Sequence, residues 1–493
     1  MKKLNINKNV VTTILFQLLN ISYGLILPRI IILSYGSEMN GLVSATLYLI
    51  GYMKIVETGL SAASIRQFFA PLVNKDSSKI SDLFQSVNYY YKKIAKYFLG
   101  LSLVFAAVYS YIVSSNVSNI YVFILVIILS LSSYFDFAFA IKYYVYFLAN
   151  NTVYKYQIAQ ISSQISKILI VLTCAYFKLD ILILLFCLSL TVFVKVYFLS
   201  KSFKREKVEL EDKFQLVKID QRNSVLSHQM LGLIIYNGPV ILISIFIGAR
   251  FASIFAVYSL IFGAFYGFFS LIYSQTLLPQ LGQAITKANK DEVKNLHEKF
   301  NKISIIINLV IIITTVIMFK SFIELYTAGA DIPYYDYSTA ILFSVYTFLN
   351  SLKIPYQTLV NANGDFKNTI IHSVVEVVIF LLTLLLLIKT NSIKIFVLAL
   401  LLSSLYKLIS LKIFSNLYIV KEAKRQHYFQ LISILILLIV CVYINTLFKL
   451  NIDNVVEWII TSIIMVIISS IICAIFIIIP EKCIKLFKLR GIN

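Results

Sequence analysis

Apolar residues along this chain do not keep to the one-sided stripe of a surface helix. They fill whole blocks of roughly 20 residues, the length of helix that crosses a bilayer core. The blocks fall near residues 9–34, 40–69, 97–114, 120–147, 154–177, 181–200, 228–247, 252–274, 303–319, 337–360, 368–388, 395–414, 431–448 and 456–479. Each predicts a membrane-spanning helix, so the expected fold is all-α and integral to the membrane, with about 14 transmembrane helices. The second is long and is expected to project from the bilayer. Met1-Lys2-Lys3-Leu4-Asn5 leads through Lys8 into the first block with no small-residue cleavage site, so that block reads as a retained span.

Charge fixes the expected orientation. Of the 493 residues 59% are apolar and only 14% charged, against about a quarter in soluble domains. The net charge of +21 would suit a nucleic-acid partner if it were spread over a surface. It is not. With the N-terminus inside, 29 of the 44 Lys and Arg fall in cytoplasmic segments and 6 at outer edges, with the other nine inside spans. This is the positive-inside pattern for an N-in, C-in chain, and it accounts for the basicity with no nucleic acid. Membrane lipid is the expected partner of those basic faces.

Cys174, Cys187, Cys441, Cys473 and Cys483 show no metal-ligand spacing and read as free apolar fillers. No P-loop, His-Glu-x-x-His or Gly-x-Ser-x-Gly pattern is present, so no nucleotide, metal or other cofactor is expected. The longest outer loop, 321–336, carries Glu324, Asp331 and Asp336 but no His or Arg. That disfavours a membrane polysaccharide polymerase or a lipid-linked glycosyltransferase, and the chain is expected not to be an enzyme.

The sequence also repeats. Pro28 matches Pro239, Gly36 matches Gly248, and Pro71 matches Pro279. Asn74-Lys75-Asp76 matches Asn289-Lys290-Asp291; Lys142, Asn150 and Lys155 match Lys353, Asn361 and Lys367. Most of these pairs lie 211 or 212 residues apart. Six spans per unit is even, so the units are parallel. The expected layout is an N-lobe (1–200), a cytoplasmic linker (201–227), a C-lobe (228–414), two additional spans (431–480) and a basic tail (481–493). Two similar six-helix lobes that rock about a central site are a transporter's plan.

Several segments together resemble the polysaccharide-repeat flippases of the multidrug/oligosaccharidyl-lipid/polysaccharide exporter superfamily. They are Pro28-Arg29-Ile30-Ile31 with Tyr35-Gly36 and Gly41, then Glu57-Thr58-Gly59-Leu60, Tyr326-Thr327-Ala328-Gly329 and Asn361-Ala362-Asn363-Gly364-Asp365. The layout of six, six and two spans carries most of the likeness, which covers the whole chain. The resemblance implies transfer of an undecaprenyl-diphosphate-linked oligosaccharide from the inner to the outer leaflet of a bacterial cytoplasmic membrane. It implies a role in capsule or O-antigen synthesis, beside other polysaccharide assembly proteins. A cation-coupled multidrug antiporter of the same superfamily is the nearer alternative; a flippase for the peptidoglycan lipid precursor is a third.

Charged side chains within a span cost at least about 2.5–3.5 kcal/mol each at the bilayer centre, so each needs a reason. An anionic diphosphate-sugar calls for cationic and amide-lined walls. Arg29, just after Pro28, is a candidate contact or an interfacial anchor. Lys54 and Glu57 stand three residues apart on one helix face, able to pair. Gln157, Gln160, Gln164 and Lys167 form a stripe at spacings of 3, 4 and 3. At the repeat offset Gln160 meets His372 and Gln164 meets Glu376. Lys142 and Lys353 are repeat partners near the cytoplasmic ends of their spans, as receivers of the diphosphate or as snorkelling residues. Glu57, Asp136 and Glu376, with His372 as modulator, are the expected ion-coupling groups for a proton or sodium gradient. Lys195, Lys407 and Lys412 read as cytoplasmic-end anchors.

Overall fold

The computed structural model describes residues 2–206, 208, 210–211, 214–218, 223–287, 289–387, 390, 392–420, 452 and 454–473. Among them the ordered elements are helices, with no strand. The chain begins with α1 (Lys2–Met53), α2 (Ile55–Asn74), α3 (Ser77–Ile112) and α4 (Asn119–Phe135). A five-residue π-helical turn, Asp136–Ala140, joins α4 to α5 (Ile141–Ala149), followed by α6 (Val153–Tyr176) and α7 (Ile181–Lys204). Then come α8 (Asn223–Phe246), α9 (Ala249–Thr286), α10 (Lys290–Tyr326), α11 (Tyr337–Leu352) and α12 (Ile354–Asn363). The last described helices are α13 (Phe366–Leu387), α14 (Ile393–Phe414) with a π-helical end at Ser415–Val420, and α15 (Val455–Cys473).

Eleven of the described helical stretches are long and apolar enough to span a bilayer. The thirteenth predicted span, 431–448, lies outside the described residues, as do 388 and 474–479 at the ends of two others; the described parts of the other thirteen fall largely on helix. The protein is a multi-pass, all-α membrane protein. Many of its helices outrun the apolar blocks that predicted them. α3 begins 20 residues before the block at 97–114 because Asp76 caps it, its carboxylate accepting from Lys79 N at 3.1 Å. α10 begins likewise under Asn289, whose side chain accepts from Glu292 N at 3.1 Å. The charged turns that follow each cap are helical, though the apolar pattern sees only their bilayer-length remainder.

Landmarks of the repeat recur in three dimensions. Gly36 (φ 87°) breaks α1, and Gly248 (φ 135°) separates α8 from α9. Both conformations suit glycine because L side chains rarely adopt them. The two caps, Asp76 and Asn289, are equivalent, which moves the register of that segment by two residues from the match of Asn74 with Asn289. Helix is disrupted at Asp136–Ala140 in one half and at Lys353, between α11 and α12, in the other.

The chain divides into two compact units, Met1–Val257 and Tyr258–Asn493. In the first, an aromatic core gathers Phe68, Phe84, Tyr146, Phe147 and Phe203, with Phe84 and Phe203 stacked at 4.3 Å. The second half of α1 meets the start of α9 so closely that a Cβ on Gly41 would lie 1.7 Å from the carbonyl oxygen of Ala249. Beside it Asn40 donates to Ser253 at 2.7 Å. Part of the predicted linker runs along α3: Ser81, Asp82 and Ser86 accept from the backbone N–H groups of Glu211, Gln215 and Val217, each at 2.9 Å. In the second unit α10, α11, α12 and α14 share a core of Leu309, Ile313, Phe348, Val360 and Leu411. There α15 is held to α10 by the Trp458 indole N–H donating to Met318 O at 3.3 Å.

Candidate functional site

In the first unit the intramembrane charges collect around Asp136. This residue opens the π-helical turn, where the widened helix swings its side chain toward α7. Its partner there is Lys195, which forms a hydrogen-bonded ion pair with it and is 7% exposed. The expectation that Lys195 is a cytoplasmic anchor is therefore corrected. A lysine that close to a carboxylate gains more by pairing than by reaching for the interface. The Lys195 ammonium also lies 5.9 Å from the Tyr156 ring centre, and Tyr156 O–H accepts from Gln160 Nε2 at 3.1 Å.

Lys54 sits at the break between α1 and α2. The pairing expected with Glu57 does not form. Glu57 instead accepts from Ser61 Oγ at 2.7 Å and from Tyr91 O–H at 3.1 Å. Lys54 lies in the fields of Asp136, Lys195 and Glu57, and Lys167 in those of Lys195, Asp136 and Lys54. Neither Lys54 nor Lys167 has a hydrogen-bond or ion-pair partner among the described residues; Lys167 lies 5.7 Å from the Tyr23 ring centre. The cluster thus holds three lysines (54, 167, 195) and two carboxylates (57, 136), a net +1.

The amide stripe of α6 lies on the helix that also carries Lys167. Gln164 is buried and its Nε2 has no partner among the described residues; the same holds for Gln157 Oε1. Buried amide atoms without a protein partner are uncommon and call for water or ligand. Arg29 is half-buried on α1, directly after Pro28. Lys142 is tied down elsewhere: it donates to Asn88 Oδ1 at 3.1 Å and lies over the rings of Tyr143 (5.2 Å) and Phe84 (5.9 Å).

In the second unit Glu376 has two partners where the sequence suggested none nearby. Lys353 lies 3.1 Å from one oxygen and Lys407 3.6 Å from the other, and Lys407 also donates to Ser373 Oγ at 2.6 Å. Lys407, 5% exposed, is no anchor either. Lys195 and Lys407 lie 212 residues apart, the repeat offset, so each unit holds a buried lysine on the equivalent helix facing a carboxylate. The repeat offset relates the two lysines in the sequence, but nothing there marks their carboxylate partners. His372 is one turn from Glu376, with its ring 5.9 Å from that of Phe414.

No protein-family model and no curated protein matches the sequence. Solved structures do match the fold. An inward-facing multidrug-resistance MATE family transporter of the MOP superfamily aligns with a TM-score of 0.68 at 11% identity, covering 82% of this chain and 95% of that one. The lipid II flippase MurJ in an inward closed conformation aligns at 0.67 and 15% identity, covering 94% and 98%. A eukaryotic MATE transporter aligns at 0.53 and 12% identity, covering 84% and 97%. These neighbours are membrane transporters and a flippase, and at such identities what they share with this chain is the fold.

Proposed function

We propose that this chain is a flippase that carries an undecaprenyl-diphosphate-linked oligosaccharide from the inner to the outer leaflet of a bacterial cytoplasmic membrane by alternating access. Its product serves a surface polysaccharide such as capsule or O-antigen. The observation that carries this reading is the pair of lysines, Lys54 and Lys167, left without partners beside an already neutralised Asp136. A drug-cation antiporter calls for an acid-rich cavity, whereas in this cluster, among the described residues, only Glu57 lacks a lysine partner. Here Asp136 is paired with Lys195, and Glu376 is shared by two lysines. The unpaired positive charge suits a diphosphate, and the amides of α6 suit sugar hydroxyls.

The bound diphosphate is held by Lys54 and Lys167, with Arg29 as a further contact, while the lipid tail stays in the bilayer. Glu57, which accepts hydrogen bonds from the hydroxyls of Ser61 and Tyr91, is the carboxylate best placed for a proton or sodium ion that drives the return step. Deleting the gene tests the reading. The expected outcome is loss of surface polysaccharide with the lipid-linked unit accumulating in the inner leaflet. Intact surface glycan together with drug hypersensitivity would overturn it in favour of the antiporter. Lys54→Gln and Lys167→Gln are expected to impair export at unchanged protein abundance.

A further inference from the structure

The second unit contains a cleft of about 820 Å³ between the start of α13 and the end of α14, on the predicted cytoplasmic side. One wall is polar: Asp365, Asn368, His372, Tyr406 and Ser410. The other is apolar and aromatic, with Phe414, Leu417 and Tyr418. The rings of Phe414 and Tyr418 lie 5.0 Å apart at 34°, giving a broad face. We propose that this cleft is a carbohydrate seat, which holds the sugar headgroup of the lipid-linked substrate beside the Lys353–Glu376–Lys407 triad.

The chemistry of the lining selects the ligand class. Among the described residues no Lys or Arg lines the cleft, so they offer a phosphate no counter-charge within it. Asn363 and Asn368 both donate to Asp365, at 2.6 and 3.3 Å, which leaves their carbonyl oxygens as acceptors. Tyr406 O–H and the His372 ring nitrogens have no hydrogen-bond partner among the described residues. This is a set of donors and acceptors at fixed positions facing an aromatic wall, the two surfaces a pyranose presents in hydroxyls and C–H face. An organic cation would also suit aromatic rings and one carboxylate. Two features oppose it: Asp365 is already bridged by two amides, and Lys407 follows Tyr406 directly within a triad of net +1.

The seat explains why the triad stands where it does. His372 is one turn from Glu376 on α13, and Tyr406 adjoins Lys407 on α14, so cleft and triad share both helices.

This inference rests on the flippase reading, and one experiment separates the two. Purified full-length protein in lipid nanodiscs is titrated with undecaprenyl diphosphate and with the undecaprenyl-diphosphate-linked oligosaccharide extracted from the gene-deleted strain. The wild type is expected to bind the sugar-bearing lipid roughly tenfold tighter, about 1.4 kcal/mol. The Asn368→Ala/Tyr406→Phe variant is expected to lose that gain while binding undecaprenyl diphosphate as before and eluting monodisperse. Equal wild-type affinities for the two lipids, or a gain that survives in the variant, would overturn the seat alone. Binding of neither lipid would overturn the flippase reading and the seat with it. Ethidium binding that the variant abolishes would assign the cleft to a cation instead.

Discussion

Removing either member of the Asp136–Lys195 pair should destabilise the first unit by unequal amounts, and the inequality tests the charge cluster around it. Breaking a buried ion pair typically costs about 3–5 kcal/mol because the survivor is left uncompensated. Asp136 keeps 29% side-chain exposure and Lys195 7%, so a value near 3 kcal/mol is expected for Asp136→Asn, which strands the better-buried partner. That variant also raises the cluster from a net +1 to +2. Lys195→Met lowers it to zero and leaves Asp136 in the fields of Lys54 and Lys167. One charge at ~10 Å in an effective dielectric of about 20 is worth roughly 1–2 kcal/mol, so Lys195→Met should cost less by that amount. The double variant restores +1 and removes both stranded groups, so it should be more stable than either single variant. Heating each purified protein in detergent and following the monodisperse fraction by size-exclusion chromatography gives the order of stability. The expected order is wild type, double variant, Lys195→Met, Asp136→Asn. Equal losses from the two single variants, or a double variant as weak as their sum, would refute the cluster.

Three further outcomes follow from the geometry. Gly41→Ala should lose folded yield, since its Cβ would meet backbone at Ala249, whereas Gly100→Ala, with open space around it inside α3, should be neutral or stabilise by up to about 1 kcal/mol; comparable thermal stability of the two would contradict the packing described. The hydrogen bond from the Lys79 backbone N–H holds the Asp76 carboxyl below its ordinary range, so its capping contribution is complete at neutral pH, persists down to the unfolded-state value near 3.8, and is lost as pH falls through the lower folded-state value. Amide exchange at the start of α3 should rise only in that acid window, and should rise at neutral pH in Asp76→Ala. Ser81→Ala/Ser86→Ala removes two acceptors that hold the linker to α3, so protease cleavage within 208–218 should accelerate while the helices stay resistant; unchanged cleavage would show that the linker is held by other contacts.

The all-helical, membrane-spanning character was legible in the chain, because the length of an apolar block acts locally. Gly36 and Gly248, matched in the sequence at an offset of 212, both adopt positive φ. Pairing was not legible. Lys54 and Glu57 share a helix face, yet Glu57 is satisfied by Ser61 and Tyr91, the latter on α3. Glu376 looks isolated along α13, yet it is flanked by lysines from the α11–α12 break and from α14. Lys195 and Lys407 look like interfacial anchors because each stands toward the predicted cytoplasmic end of its span. The sequence by itself determined that the chain is an all-helical, multi-pass membrane protein. Only the tertiary structure decided which buried charges neutralise one another, since the partners come from helices distant in the chain and a few ångströms of packing select among lysines that the sequence cannot rank.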